Sequence, residues 1–176
     1  MLRAAAASPD PCIIIEARRL YARTGLVTLG GDVEPLGGAS LRHSGRDVGV
    51  ITWGSVAPEV DAAAETLQSE GVSVAVLDLR WLCPLDDRAI DDLVLSTGGR
   101  ILIVHEANRT GGFGAEVAAR VSERHFDNLD SPVRRLATPD VRIPAAPALQ
   151  RALTPNAASI STAIRSIARA SRAATA

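Results

Sequence analysis

Three short apolar runs decide the fold of this chain: Val48–Thr52 (VGVIT), Val72–Leu77 (VSVAVL) and Ile101–Val104 (ILIV). Each run is rich in branched apolar residues and lacks the regular polar alternation of a half-exposed strand. Such runs are typical of strands that are buried on both faces. Because helical patterns separate them, they predict a parallel sheet whose strands are connected by helices.

Helices are predicted at about 57–70, 86–96, 112–124 and 156–170, and a fourth strand is predicted at Pro132–Leu136. The first helix has apolar residues on one stripe and ends at Gly71, a residue favoured after helix ends. Ser55 is a candidate cap for its start. The sequence therefore predicts an α/β domain of three layers, a mostly parallel sheet with helices on both faces.

The segments outside this domain have different patterns. Ala4–Ala7 favours a helix, and Cys12–Ile15 has the pattern of a strand buried on both faces, although the first 40 residues contain no strand to pair with it. Glycine and proline dominate 26–46, which predicts a connecting segment. We expect four parts: 1–25, the connecting segment 26–46, the domain 47–170 and a frayed tail 171–176.

The composition excludes several classes of function. The chain has 176 residues and a net charge of −1, which gives no electrostatic reason to bind nucleic acid or an anionic membrane. No apolar run is long enough to span a membrane, and all 19 cationic side chains are arginine, which excludes a Schiff-base lysine within the chain. Two cysteines form neither a disulfide framework nor a zinc site, so a cytoplasmic setting is expected.

A glycine-rich turn containing Gly111, Gly112 and Gly114 lies between a predicted strand and a predicted helix. This is where the phosphates of a dinucleotide would lie against a helix start. However, Val117 occupies the position of the third small residue. The pattern therefore favours the alternative that these glycines permit close packing.

His105 and Glu106 end the third predicted strand, where ligands bind in open α/β sheets. Such a pair could transfer protons. No nucleophile motif and no metal-ligand spacing accompany it. The pattern therefore favours a pair that forms hydrogen bonds locally or across an interface.

Asp78 and Arg80 end the second predicted strand on one face, where they could form an ion pair or bind an anion. The alternative is a structural turn in which Pro84 restricts the backbone and Asp86 caps the next helix. The pattern favours this second interpretation.

Five strings occur together in this order: DPCIIIEARRLY (10–21), PLG (35–37), GRDVGVITWGS (45–55), DLRWLCPLD (78–86) and HEANRTGGFGAE (105–116). Together they resemble the C-terminal part of the beta subunit of the thiamine-diphosphate-dependent 2-oxo acid dehydrogenases. The resemblance extends from about residue 2 to about residue 168.

The resemblance implies that 1–25 is the last helix and strand of a pyrimidine-binding domain and that 47–170 is a transketolase-type C-terminal domain. In this family thiamine diphosphate and Mg²⁺ are held between the alpha subunit and the pyrimidine-binding domain of beta. We therefore expect no catalytic, cofactor-binding or metal-binding residue in this chain. The implied partners are the alpha subunit, a second beta subunit and the acyltransferase core, and the residues discussed above become interface or structural elements.

Two other functions stay open. The Ile13–Ile15 edge could make the chain a stand-alone binding or assembly module, and the turn Gly111–Gly114 could bind a nucleotide. The substrate also stays open between pyruvate, branched-chain 2-oxo acids and acetoin, with a slight preference for the branched-chain type from the string 105–116.

Overall fold

The computed structural model describes residues 1–26 and 30–174, with side chains described up to residue 170. Its strands are β1 (Ser40–His43), β2 (Val48–Thr52), β3 (Val74–Asp78), β4 (Ile101–Asn108) and β5 (Arg134–Thr138). Its α-helices are α1 (Leu2–Ala7), α2 (Ala57–Ser69), α3 (Asp87–Ser96), α4 (Gly114–Arg124), α5 (Pro147–Leu153) and α6 (Ala157–Ala174). Short 3₁₀ turns lie at Arg18–Leu20, Gly54–Val56 and Phe126–Asn128.

The strands form one sheet in the order β1-β3-β2-β4-β5. β2 is at the centre and pairs in parallel with β3 on one side and β4 on the other, so that Val50 lies between Val76 and Leu102. β5 extends the sheet in parallel beyond β4. The connection after β2 therefore leads to one side of the sheet and the connection after β4 leads to the other side.

Each face of the sheet is covered by two helices. Val50 packs in a core with residues of α2 and α6, including Leu67 and Ile164. The next residue, Ile51, lies in a second core with residues of α3 and α4. Because successive side chains of a strand point to opposite faces, the fully apolar strands contribute to both cores. The predicted three-layer α/β fold is confirmed.

The four helices and four strands predicted for the domain 47–170 are all present, with ends shifted by a few residues. The suggested cap at Ser55 is wrong: Val56 occupies the cap position of α2, without a side-chain hydrogen bond. The Ser55 hydroxyl instead donates to the carboxylate of Glu106. α6 also continues to Ala174, beyond the predicted helix end at 170, and the last two residues of the predicted tail lie outside the described residues.

The predicted connecting segment 26–46 contains a strand that the sequence analysis missed. β1 pairs antiparallel with β3, with Ser40 opposite Asp78. It is a short edge strand whose sequence, SLRH, is polar and largely exposed. Its side chains are not enclosed on both faces, so the strand needs no continuous apolar run, and short polar strands are common at sheet edges.

The strand prediction for Cys12–Ile15 is wrong. This segment has no regular structure, and the side chains of Ile13 and Ile15 are 92% and 87% exposed. A strand requires a neighbouring strand for its backbone hydrogen bonds, and no described strand pairs with this segment.

Among the described residues, no helix is long and apolar enough to cross a membrane.

Candidate functional site

The candidate site lies where the connections after β2 and β4 diverge to opposite sides of the sheet. In open α/β sheets, ligands bind in the crevice at this position, beyond the carboxyl ends of the strands. Trp53 and Ser55 follow β2 here, and His105 and Glu106 lie near the end of β4. The glycine-rich turn then leads into α4.

The imidazole of His105 fills the crevice on the α4 side. It is fully buried and stacks on the ring of Trp53, with 5.2 Å between the ring centroids and 9° between the ring planes. The ring of Phe113 meets Trp53 edge-on at 6.1 Å. Offset stacks and edge contacts of this kind are the favourable geometries for aromatic rings.

Gly112 and Gly114 cover the same imidazole with bare backbone. A Cβ on Gly112 would lie 2.7 Å from Cε1 of His105, and a Cβ on Gly114 would overlap Cδ2 and Nε2. Gly111 has a φ of +73°, which favours glycine, and a Cβ there would meet open space. The glycines therefore permit close packing on His105, as the preferred sequence interpretation proposed, and the ring occupies the space beneath the turn.

Glu106 belongs to the other face of the sheet. Its carboxylate accepts the hydroxyl hydrogen bond of Ser55, and its backbone carbonyl accepts the Thr138 hydroxyl at 2.7 Å. Arg19 donates to the backbone carbonyl of Ser55 at 2.8 Å, which joins the N-terminal segment to this network.

This arrangement does not form a catalytic triad. His105 and Glu106 are consecutive in β4 and point to opposite faces, so the imidazole cannot contact the Ser55 hydroxyl. Ser55 is also only 2% exposed. Burial and the positive charge of Arg135 lower the pKa of His105, and neither of its ring nitrogens has a hydrogen-bond partner among the described residues. Among the described residues, the site therefore does not bring an accessible base and an accessible nucleophile together.

Residues 37–160 match the family described as "Transketolase, C-terminal domain". The chain belongs to the transketolase C-terminal domain family. The resemblance expected from the five strings is also confirmed by curated relatives. The chain is 36% identical over 170 residues to the 2-oxoisovalerate dehydrogenase subunit beta of Bacillus subtilis, covering 96% of this chain and 52% of that protein.

A second relative is the 3-methyl-2-oxobutanoate dehydrogenase subunit beta of Mycobacterium tuberculosis, 39% identical over 147 residues, which are 83% of this chain and 42% of that protein. The chain thus spans about half the length of these curated relatives, or less. Among solved structures, a "Split gene transketolase, inactive beta4 tetramer" matches with a TM-score of 0.67 at 22% identity, over 83% of this chain and 46% of the other. At that identity the likeness supports the fold alone.

In this transketolase C-terminal domain, Asp78 and Arg80 do not form an ion pair with each other. One carboxylate oxygen of Asp78 accepts the backbone N–H of Arg80 at 3.1 Å, and the other lies 3.6 Å from the guanidinium of Arg42. The Arg80 guanidinium pairs with Glu34 instead. Burial raises the pKa of Asp78 against the opposing effects of the Arg80 amide and of Arg42.

The turn between β3 and α3 is structural in the way the sequence suggested. Asp86 caps α3 by accepting the backbone N–H of Ala89 at 3.0 Å, and its second oxygen accepts the N–H of Ala39 at 3.0 Å. Through these two hydrogen bonds, the side chain of Asp86 anchors the segment that precedes β1 to the start of α3. In the same turn, the Cys83–Pro84 peptide bond is cis.

The described residues of the transketolase C-terminal domain do not fit a diphosphate or its metal ion. Within the described part of the chain, no group of three His, Cys, Asp or Glu side chains could hold a metal. The space beneath the glycine-rich turn, where a phosphate would lie, is taken by His105. That this chain binds no cofactor stays a prediction.

Two aromatic residues of the site, Trp53 and Phe113, were not predicted from the sequence. The chain has two tryptophans and two phenylalanines, and one of each lies directly after β2 or within the glycine-rich turn. The sequence does contain a signal for them, because aromatic residues are rare in this chain and Trp53 and Phe113 follow the ends of two neighbouring strands. The two-residue period of a strand was a second signal, because it separates His105 from Glu106.

Proposed function

We propose that this chain acts as the C-terminal part of the beta subunit of a 2-oxo acid dehydrogenase and that it serves subunit assembly and docking. The parent reaction is the oxidative decarboxylation of a 2-oxo acid with transfer of the acyl group to a lipoyl group. The observation that carries the proposal is the similarity to two such beta subunits over most of this chain.

The proposal gives this chain a scaffolding role and leaves the chemistry to other parts of the enzyme. Thiamine diphosphate and Mg²⁺ are placed between the alpha subunit and the pyrimidine-binding part of beta. The supporting geometry is the buried Ser55 hydroxyl and the sealed His105 imidazole, since neither can reach a bound substrate.

The proposed partners are the alpha subunit, a second beta subunit and the acyltransferase core, in the cytoplasm. Three candidate residues are exposed and could contact a partner: Pro84, Glu106 and Gly111. The carboxylate of Glu106 also accepts a hydrogen bond from Ser55. The other candidate residues have structural contacts within the chain: Asp78, Arg80, Asp86, His105, Gly112 and Gly114. A branched-chain 2-oxo acid is the favoured substrate class, because the names of the two relatives denote the same branched compound.

The test measures decarboxylation of branched-chain 2-oxo acids and of pyruvate, and separately cleavage of the hydroxyketone acetoin, by the isolated chain with thiamine diphosphate and Mg²⁺. We expect no turnover. The companion measurement adds the purified alpha subunit of a branched-chain 2-oxo acid dehydrogenase and follows co-elution by size-exclusion chromatography with light scattering. Turnover by the chain alone would overturn the division of labour, and failure to associate with any of the proposed partners would overturn the docking role.

A second candidate function, a stand-alone assembly module, is favoured by the exposed segment Cys12–Ile15. Ile13 and Ile15 are alternate residues and therefore share one side when the segment is extended. Two almost fully exposed isoleucines on one side are suited to adding the segment to the edge of a partner sheet.

Light scattering on the variant Ile13→Arg/Ile15→Arg tests this candidate, with Ile14→Arg as the matched control on the other side of the segment. We expect the double variant to lose association and the control to keep most of it. Equal behaviour of both variants, or a monomeric wild-type chain without affinity for the partners, would contradict it.

A further inference from the structure

The buried imidazole of His105 has no role in the proposed function. It lies on the α4 side of the sheet, fully buried, between the ring of Trp53 and the backbone of Gly112 and Gly114. A neutral imidazole donates one hydrogen bond and accepts one. Here neither nitrogen has a partner within the described residues, so burial removes both hydrogen bonds that water would provide.

Residues 108–113 cover this ring, and Gly114, the first residue of α4, follows them. We call residues 108–113 the glycine turn. Its outer side is held by polar contacts. The backbone N–H and the hydroxyl of Thr110 both donate to the carboxylate of Asp140, at 2.9 and 2.6 Å, and Arg135 donates to the carbonyl of Arg109 at 2.8 Å. The glycine turn is thus held between the imidazole inside and Asp140 outside, while Arg109, Thr110 and Gly111 are exposed.

The charged groups on the elements around the ring offer no counter-ion to a protonated imidazole. Their carboxylates are engaged elsewhere: Glu106 of β4 with Ser55 across the sheet, Glu116 of α4 with Arg120 at 2.9 Å, and Asp140 with Thr110. Arg135 in β5 is a cation and would repel the protonated ring, and the nearby charged side chain of the turn, Arg109, is also a cation. No ion pair of His105 exists among the described residues.

We propose that His105 is an acid-sensitive latch for the glycine turn, closed while the imidazole is neutral and released when it is protonated. In the closed form the imidazole stacks on Trp53 and packs against the backbone of Gly112 and Gly114, which excludes water. A charged imidazole cannot stay there without a partner, so it reaches water only when the turn and the start of α4 move away. The latch is independent of the proposed dehydrogenase role.

The direction of the pH dependence follows from the burial. Burial, together with Arg135, lowers the pKa of His105 in the closed form, and the open form regains the ordinary value near 6.5. The latch is therefore fully stable above about pH 6.5 and weakens as the pH falls below it toward the lowered pKa. When only the open form takes up the proton, the fraction open rises about ten-fold between pH 7.5 and pH 5.5.

The test uses the three histidines of the chain. Proton NMR of the imidazole Cε1–H groups gives each midpoint in the wild-type chain, and the variant His43→Gln/His125→Gln assigns the remaining signal to His105. Amide hydrogen exchange of the glycine turn, corrected for the intrinsic pH dependence of exchange, measures opening. Emission of Trp53 in a Trp81→Phe background reports loss of the stack.

The expected result is a His105 midpoint below 6.5 and an increase of about ten-fold in turn exchange between pH 7.5 and pH 5.5, with Trp53 emission changing over the same range. His105→Phe keeps a stacking ring without a titrating group, so its turn exchange becomes independent of pH. A midpoint at or above 6.5, or turn exchange that does not change with pH, overturns the proposal. If His105→Phe does not fold, the His43→Gln/His125→Gln variant still decides between these outcomes.

Discussion

The backbone of Gly114 lies against the imidazole of His105 so closely that a Cβ on this glycine would overlap Cδ2 and Nε2. Replacing a glycine near a helix start with alanine is normally favourable, because alanine has the higher helix propensity. At this position we expect the opposite. Gly114→Ala should lower the free energy of unfolding by about 1–3 kcal/mol, since the ring or the helix must shift.

Urea unfolding of a double-mutant cycle checks the cause of that loss. In a His105→Ala background the ring is absent, so the additional cost of Gly114→Ala should become small or change sign. Gly25→Ala is the control, because a Cβ there meets nothing within 4 Å. An equal cost in both backgrounds would show that the ring is not the obstacle.

The two carboxylate oxygens of Asp86 serve different segments, the amide of Ala89 at the start of α3 and the amide of Ala39 before β1. Asp86→Ala should therefore lower the free energy of unfolding by about 2 kcal/mol, more than a helix cap alone. Asp86→Asn keeps only one acceptor oxygen and should lose about half as much. Chemical denaturation measures both, with the exposed Asp92→Asn as the control, and equal losses for the two Asp86 variants would contradict the shared role.

Arg42 lies between the carboxylates of Asp61 and Asp78. We expect neutralising these two carboxylates to have opposite effects on the free energy of unfolding. The guanidinium Nε of Arg42 lies 2.9 and 3.1 Å from the two carboxylate oxygens of Asp61. A terminal nitrogen of the same guanidinium lies 3.6 Å from a carboxylate oxygen of Asp78. Asp61→Asn should lower the free energy of unfolding by about 1 kcal/mol. Asp78→Asn should leave it unchanged or raise it at pH 7, because the amide oxygen can still accept the N–H of Arg80 and a buried charge is removed.

The pH dependence separates these two effects. Burial raises the pKa of Asp78. The stability cost of its charge is therefore fully present above that folded pKa and is relieved as the pH falls from it to the ordinary pKa of the unfolded chain. Any advantage of Asp78→Asn should therefore disappear in acid, as followed by denaturation at several pH values. An advantage that persists below the ordinary aspartate pKa of about 3.9, where both the folded and the unfolded chain are protonated, would contradict this explanation.

The glycine-rich turn should not bind a dinucleotide. His105 occupies the space beneath Gly112 and Gly114 where the phosphates would lie, and Val117 stands at the third small position. A ligand at 100 times its Kd adds about 2.7 kcal/mol to stability, which thermal unfolding detects easily. We expect no shift with NAD or FAD, and a reproducible shift that Gly112→Ala abolishes would support the nucleotide-binding alternative.

Much of the fold could be predicted because its signals are local. The buried strands Val48–Thr52 and Ile101–Val104 are apolar throughout, and the helices between them show apolar stripes with glycines or acidic residues at their ends. β1 could not be predicted in this way, because its existence depends on pairing with β3 and not on its own polar sequence. Cys12–Ile15 shows the converse, since strand propensity without a partner edge does not form a strand.

The candidate site was only partly predictable for the same reason. The sequence by itself determined the α/β class, the family resemblance, and the position of His105 and the glycines at a strand end. Only the tertiary structure decided that the imidazole fills the crevice, that Glu106 accepts the hydroxyl hydrogen bond of Ser55, and that Asp86 holds Ala39 across 47 residues of sequence. These contacts join residues distant in the chain, and their geometry depends on how the helices pack on the sheet, which no local pattern encodes.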